Sequence, residues 1–227
     1  MSNNSKRVAL LAGKSSASTA PIAAALRSSD FDVAVCGDDI SDADENSRIV
    51  ANVRETFGRL DVLVIHVPAA EAHREDVDVL EATEERFDAS LGCLVKSPYF
   101  LAQVVARWMV EQRAENAAFR GVIVFLKDAG SLSRDANLTA ASITRAGSAM
   151  VAQLWAHRLA EFGISVFDVR TMSDQAATQA ADGYTFDGRP NPPEDAARAV
   201  VALARGELSY ATGNVLHIDG GHSLRRL

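Results

Sequence analysis

Charged and polar side chains able to run acid–base chemistry fall at the ends of apolar runs in this sequence. Lys127 and Asp128 follow the run Val122-Ile-Val-Phe-Leu126, His66 closes Val62-Leu-Val-Ile-His66, and Arg145 lies in the next helix-length stretch. Together they offer an acid, a base and an anion clamp. Each also has a structural reading: a histidine at a strand end packs as an ordinary residue, and Asp128 facing Arg145 is an ion pair. A Ser-His-Asp hydrolase is disfavoured because no Gly-x-Ser-x-Gly elbow is present. Lys14, Ser15, Ser16 and Ser18 in the turn Gly13-Lys-Ser-Ser-Ala-Ser-Thr19 could cradle a phosphate, but the glycine a P-loop needs upstream is missing. His66, His73, His157, His217 and His222 have no metal-ligand spacing with each other or with Cys36 and Cys93, so no metal is expected. The two cysteines sit in apolar surroundings and read as reduced, buried thiols.

The elements that must position these groups alternate in type. Short apolar runs at Val8–Ala12, Val33–Cys36, Val62–His66, Val122–Leu126, Ile164–Val169 and Val215–Ile218 read as strands. Between them, Pro21–Ser28, Ser47–Phe57, Glu84–Gln112, Ala140–Glu161 and Pro193–Arg205 read as helices, with Pro21 and Pro193 in first turns where a missing N–H costs nothing. The alternation predicts βαβ units around a parallel sheet: a single Rossmann-like, doubly wound α/β domain over residues 1–227. The loose stretch Ser173–Pro193 is expected to lie over the ligand crevice of such a sheet.

Composition narrows the partners. The chain has 227 residues and a formal net charge of -7, with a pI near 5.2, which disfavours a binder of phosphate backbones. Its polar N-terminus passes directly into Val8–Ala12, too short for a signal peptide or a spanning helix. No nucleic acid, no membrane and a cytoplasmic location are expected.

Four phrases, in order along the chain, carry a family resemblance: the opening strand and its turn, Arg54-Glu-Thr-Phe-Gly-Arg-Leu-Asp-Val-Leu-Val64, the helix opening at Ala140, and Ser209-Tyr-Ala-Thr-Gly-Asn-Val-Leu-His-Ile-Asp-Gly-Gly221. The chain resembles the short-chain dehydrogenase/reductase family over nearly its whole length. The resemblance implies an NAD(P)-dependent oxidoreductase with a Ser, an Asn and a Tyr-x-x-x-Lys pair at its centre. At the matching positions stand Asp128, Leu94, Ala141 and Arg145, and none of the four lysines has Tyr four residues before it. Ala141 cannot transfer a proton, and Arg145 stays charged at neutral pH.

The cofactor positions change in parallel. The family's Gly-x-x-x-Gly-x-Gly turn keeps Gly13 but has Ala17 and Thr19 at the other glycines, and Ile65-His-Val-Pro68 replaces Asn-Asn-Ala-Gly. After Val33–Cys36 an acidic stretch runs from Asp38 into the next helix, so the adenosine-side helix and strand are expected to be shortened or lost. The resemblance to a degenerate member implies that this chain binds no cofactor, NAD or NADP residing in a partner.

Two functions remain open at the level of sequence. One is a non-catalytic subunit that assembles with, and stabilises, a homologous active short-chain dehydrogenase as a heterotetramer, similar to the inactive subunit of the two-subunit hydroxyacyl-CoA dehydrogenase of benzylsuccinate breakdown. The other is an enzyme on the same fold with altered, cofactor-independent chemistry using Asp128, Arg145, His66 or Lys127. The first is the primary expectation, because both sites have changed together. Surplus apolar residues on Glu84–Gln112 and Ala140–Glu161 supply a surface for the partner, with Trp108, Met109, Met150, Leu154 and Trp155 as the interface.

Overall fold

A computed structural model of the chain describes residues 6–13, 15–16, 18–37, 40, 43–67, 80–128, 139–171 and 192–221. Six parallel strands form one sheet in the order β2-β1-β3-β4-β5-β6. They are β1 (Arg7–Ala12), β2 (Phe31–Cys36), β3 (Val62–Val67), β4 (Val122–Asp128), β5 (Ser165–Thr171) and β6 (Val215–Ile218). The central strands are buried on both faces, which is why they read as continuous apolar runs.

Helices cover the two faces separately. Helix α1 (Thr19–Ser28) and α6 (Pro193–Arg205) pack together on one face over Ala9, Leu11, Val64 and Val124. Helices α2 (Ala43–Phe57), α3 (Glu84–Leu91), α4 (Ser97–Glu115) and α5 (Thr139–Leu159) occupy the other, over Leu10, Leu63, Ile123 and Phe125. Thr83 caps α3 by accepting the Arg86 N–H at 3.4 Å, and Gly206, at φ 80°, ends α6 in the left-handed conformation that favours glycine. A π-helical turn, Gly92–Lys96, joins α3 to α4. The continuous Glu84–Glu115 stretch is long and apolar enough to cross a membrane, but in this fold Leu94, Leu101, Val105, Trp108 and Met109 from it pack in the core beside the sheet.

The order of strands bears out the expected loss on the adenosine side. β2 is an edge strand, half-exposed along its length, with Val35 45% exposed. Among the described residues no strand or helix intervenes between Cys36 and Ala43. Pairing with β1 satisfies one edge of β2, and among the described residues no strand pairs with the other.

The expected partner surface needs correction at two residues. Trp108 and Met109 are buried in this chain's own core, because α4 packs on the sheet beside α2, with the Arg54 guanidinium 5.5 Å from the Trp108 ring centroid. Trp155 is half-buried against the Tyr99 ring, 5.2 Å away. Met150 and Leu154 do face solvent, together with Phe100 and Ile143. The cysteines are partly buried and unbonded to each other, rather than fully enclosed.

Candidate functional site

The carboxyl ends of β1, β3, β4 and β5 lie together at one edge of the sheet, where open α/β folds hold ligands. At the β1 end, Gly13 has φ 109°, and a Cβ there would come within 2.1 Å of the His66 carbonyl oxygen. Glycine is therefore required by the crossing of β1 and β3 themselves. The turn that follows is closed on itself: the Ser16 N–H donates to Thr19 Oγ1 at 2.9 Å and the Ser18 N–H to Ser16 Oγ at 3.1 Å. The Thr19 N–H donates to the Ser16 carbonyl, and Ser16 Oγ lies 3.3 Å from His66 Nδ1. These are N–H groups of the kind that a pyrophosphate would need at the start of α1. Among the described residues of the turn, the N–H groups of Ser16, Ser18 and Thr19 are taken up by partners within it.

Ile65, at the first position of the replaced Asn-Asn-Ala-Gly motif, faces the core and not the crevice. It is fully buried in the larger core between Ala12 and Phe125, because strand alternation turns it away from the neighbours of His66. Leu94 lies buried in the π-helical turn, where it packs in the same core. The Ser97 hydroxyl donates to the Gly92 carbonyl at 2.9 Å across that turn. Asp128 is the last residue of β4, paired in register with Thr171. Ala141 and Arg145 stand one turn apart at the start of α5. The side chains of Asp128, Ala141 and Arg145, and residues Lys14, Ala17, Asp38 and Pro68, lie outside what the structure describes.

The structure brings together a set that sequence reading had only partly named. Lys127 on β4 reaches Asp168 on β5, Nζ to Oδ1 at 3.8 Å, and the Arg170 Nη2 donates to Asp168 Oδ2 at 3.2 Å. Asp168 is fully buried, Lys127 and Arg170 nearly so. Asp168 Oδ1 has no hydrogen-bond partner. Burial pushes the Lys127 ammonium down to about 8, opposed by the Asp168 carboxylate and helped by Arg170. Lys127 is in register with Arg170, and Asp168 sits two residues back on the same face, which α5 covers. His66 belongs to the alternate set of side chains on β3 and is not gathered into this cluster. The missed signal was Asp168-Val-Arg170, two charges at strand spacing inside an otherwise apolar strand.

Comparison with known proteins extends this reading. A family model described as enoyl-(acyl carrier protein) reductase matches residues 4–223. The chain belongs to this short-chain dehydrogenase/reductase family. It is 28% identical over 191 residues to a 3-oxoacyl-(acyl-carrier-protein) reductase of Thermotoga maritima, covering 80% of this chain and 74% of the relative. It is 30% identical over 203 residues to an L-rhamnose 1-dehydrogenase (NAD(P)(+)) of a Sphingomonas species, covering 83% and 75%. Among solved structures, a 3-oxoacyl-(acyl-carrier protein) reductase of Brucella melitensis in complex with NAD superposes with a TM-score of 0.85 at 25% identity, covering 98% of this chain and 99% of that one.

These relatives overturn the expectation of a non-catalytic, partner-stabilising subunit. A short-chain dehydrogenase/reductase chain that aligns along most of its length with proteins named as working oxidoreductases carries an enzyme's scaffold. The benzylsuccinate comparison likewise finds no counterpart in them; they are named for acyl-carrier and sugar substrates. The reductase of known structure is itself a complex with NAD on this fold.

Proposed function

We propose that this chain is an enzyme on the short-chain dehydrogenase scaffold with altered chemistry, in which charged groups at the carboxyl ends of the central strands, not a Tyr-Lys pair, move the proton. The observation that carries the reading is the burial of Lys127, Asp168 and Arg170 together at the end of the sheet where this fold holds ligands. The reaction class that suits them is proton transfer next to a carbonyl. Neutral Lys127 accepts a proton from the carbon as the C–H bond breaks. The electron pair moves onto the carbonyl oxygen as an enolate, where the Arg170 charge stabilises it. Asp128 and Arg145, at the end of β4 and the start of α5, are the further candidates to hold the substrate. The relatives' names make 3-oxoacyl thioesters the first substrates to try.

The self-closed turn supports a step that does not use a nicotinamide nucleotide seated in the family's manner. We place the enzyme in the cytoplasm, associating with a homologous chain through the exposed face of Phe100, Ile143, Met150 and Leu154. The test is deuterium exchange at the α-carbon of a 3-oxoacyl thioester in heavy water without nucleotide. Exchange faster than in buffer is expected, abolished in Lys127→Met and retained in Lys96→Met. Turnover that instead requires NADPH and survives Lys127→Met sinks the reading.

A further inference from the structure

The amino ends of the strands, at the opposite edge from the site above, hold a cleft of about 620 Å³. Four arginines line it: Arg7 from β1, Arg59 from the turn before β3, Arg120 from the turn before β4, and Arg205 from the end of α6. Asp61 is the only acidic residue among the described lining. On a chain of formal net charge -7, this is a local reversal of sign.

The single carboxylate is already committed. Asp61 accepts from Arg59 through both oxygens, at 2.7 and 2.9 Å, and Oδ2 also accepts the Val8 N–H at 2.7 Å. Arg7 comes no nearer to it than 4.0 Å. The guanidinium of Arg7 lies 4.9 Å from the Phe31 ring centroid and makes no hydrogen bond among the described residues, though its side chain is only 35% exposed. Burial lowers its pKa, with Arg59 adding to the effect and Asp61 opposing it. Arg120 uses one terminal nitrogen, donating to the carbonyls of Ala117 and Phe119, and keeps three further N–H donors. Arg205 has only Glu207, at 3.9 Å with both side chains more than half exposed, a weak pairing. Three helical segments also end here, each presenting about half a negative charge. With Asp61 they offset roughly 2.5 of the four positive charges, so an excess of cation and of unused donors remains.

We propose that this cleft binds a small, multiply charged oxyanion, a phosphate ester or a polycarboxylate, held by Arg7, Arg120 and Arg205. Guanidinium forks match carboxylate and phosphate oxygens in pairs. Arg59 serves Asp61 and shapes the wall. The site is separate from the cluster at Lys127, since it lies at the other end of the same strands.

Calorimetric titration of the full chain at constant ionic strength tests this, with inorganic pyrophosphate and citrate as the probes. Saturable binding of at least one probe is expected, weakened about tenfold or more in Arg7→Gln. Ser209→Asp, which adds a negative charge at the rim without removing an arginine, should weaken it similarly, and Arg48→Gln on α2 should not. A preference for pyrophosphate identifies a phosphorylated ligand, and a preference for citrate a polycarboxylate. Absence of saturable binding by both probes, or wild-type affinity in both Arg7→Gln and Ser209→Asp, overturns the proposal.

Discussion

At the scale of single residues, Lys127 is an amine held out of water, and its titration should be readable in stability. Below pH 8 folded and unfolded chains both carry the proton, and the cost of burying the ammonium is present in full. Between its folded pKa of about 8 and the ordinary lysine value of 10.5, the unfolded chain binds more protons than the folded one. Stability therefore rises with pH across that window, by roughly 3 kcal/mol. Denaturant midpoints of wild type and Lys127→Met between pH 7 and 10.5 should diverge accordingly, the variant lacking this component of the rise. The same titration appears in catalysis under the proposed role, with α-carbon exchange increasing as pH passes 8. Gly13 offers a second residue-scale test. Gly13→Ala meets both a left-handed φ and a backbone carbonyl 2.1 Å from the new Cβ. It should cost about 3 kcal/mol or more in urea unfolding. That loss arises whether or not any nucleotide binds.

At the scale of elements, side chains tie loops to the sheet where strand ladders stop. Gln112 near the end of α4 accepts the Leu60 N–H and donates to the Leu60 carbonyl, each at 3.0 Å, and thereby sets the approach to β3. Gln112→Ala should lower stability by about 2 kcal/mol, since it leaves two buried backbone groups unpaired; thermal unfolding checks it. The turn between β1 and α1 is another such unit. The N–H groups of Ser16, Ser18 and Thr19 are taken up inside it, so under the proposed function calorimetry with NAD, NADH, NADP and NADPH should find no micromolar binding. A micromolar constant would mean that the turn reopens around phosphate and that the cofactor argument fails.

At the scale of the whole molecule, the question is which apolar surface belongs to the core and which to a neighbour. Trp108 is core, and Trp108→Ala should cost about 3–5 kcal/mol in the unfolding of the isolated chain. Leu154, 58% exposed on α5, is surface, and Leu154→Glu should leave that stability within about 0.5 kcal/mol. If a homologous chain packs on this face, sedimentation velocity should show the Leu154→Glu protein losing association while Trp108→Ala loses fold. Equal sedimentation of wild type and Leu154→Glu would remove this face from consideration.

Much of the architecture was legible in the residue order alone. Strands buried on both faces announce themselves as Val/Ile/Leu runs, helix starts carry Pro21 and Pro193, and the short acidic passage after Cys36 betrays a missing element; all of these are local properties. The family was legible for the same reason, since its phrases are contiguous. What only the tertiary structure decided were relations across the sheet. Lys127 is distant in sequence from Asp168 and Arg170 and meets them through the register of β4 with β5. His66 and Lys127 looked like one set until strand alternation turned them to opposite faces. Surplus apolar residues on two helices could not be divided in advance between core and surface, because the division depends on α2 lying over Trp108. Likewise, four arginines spread from residue 7 to residue 205 become one cleft only when the amino ends of the strands are aligned.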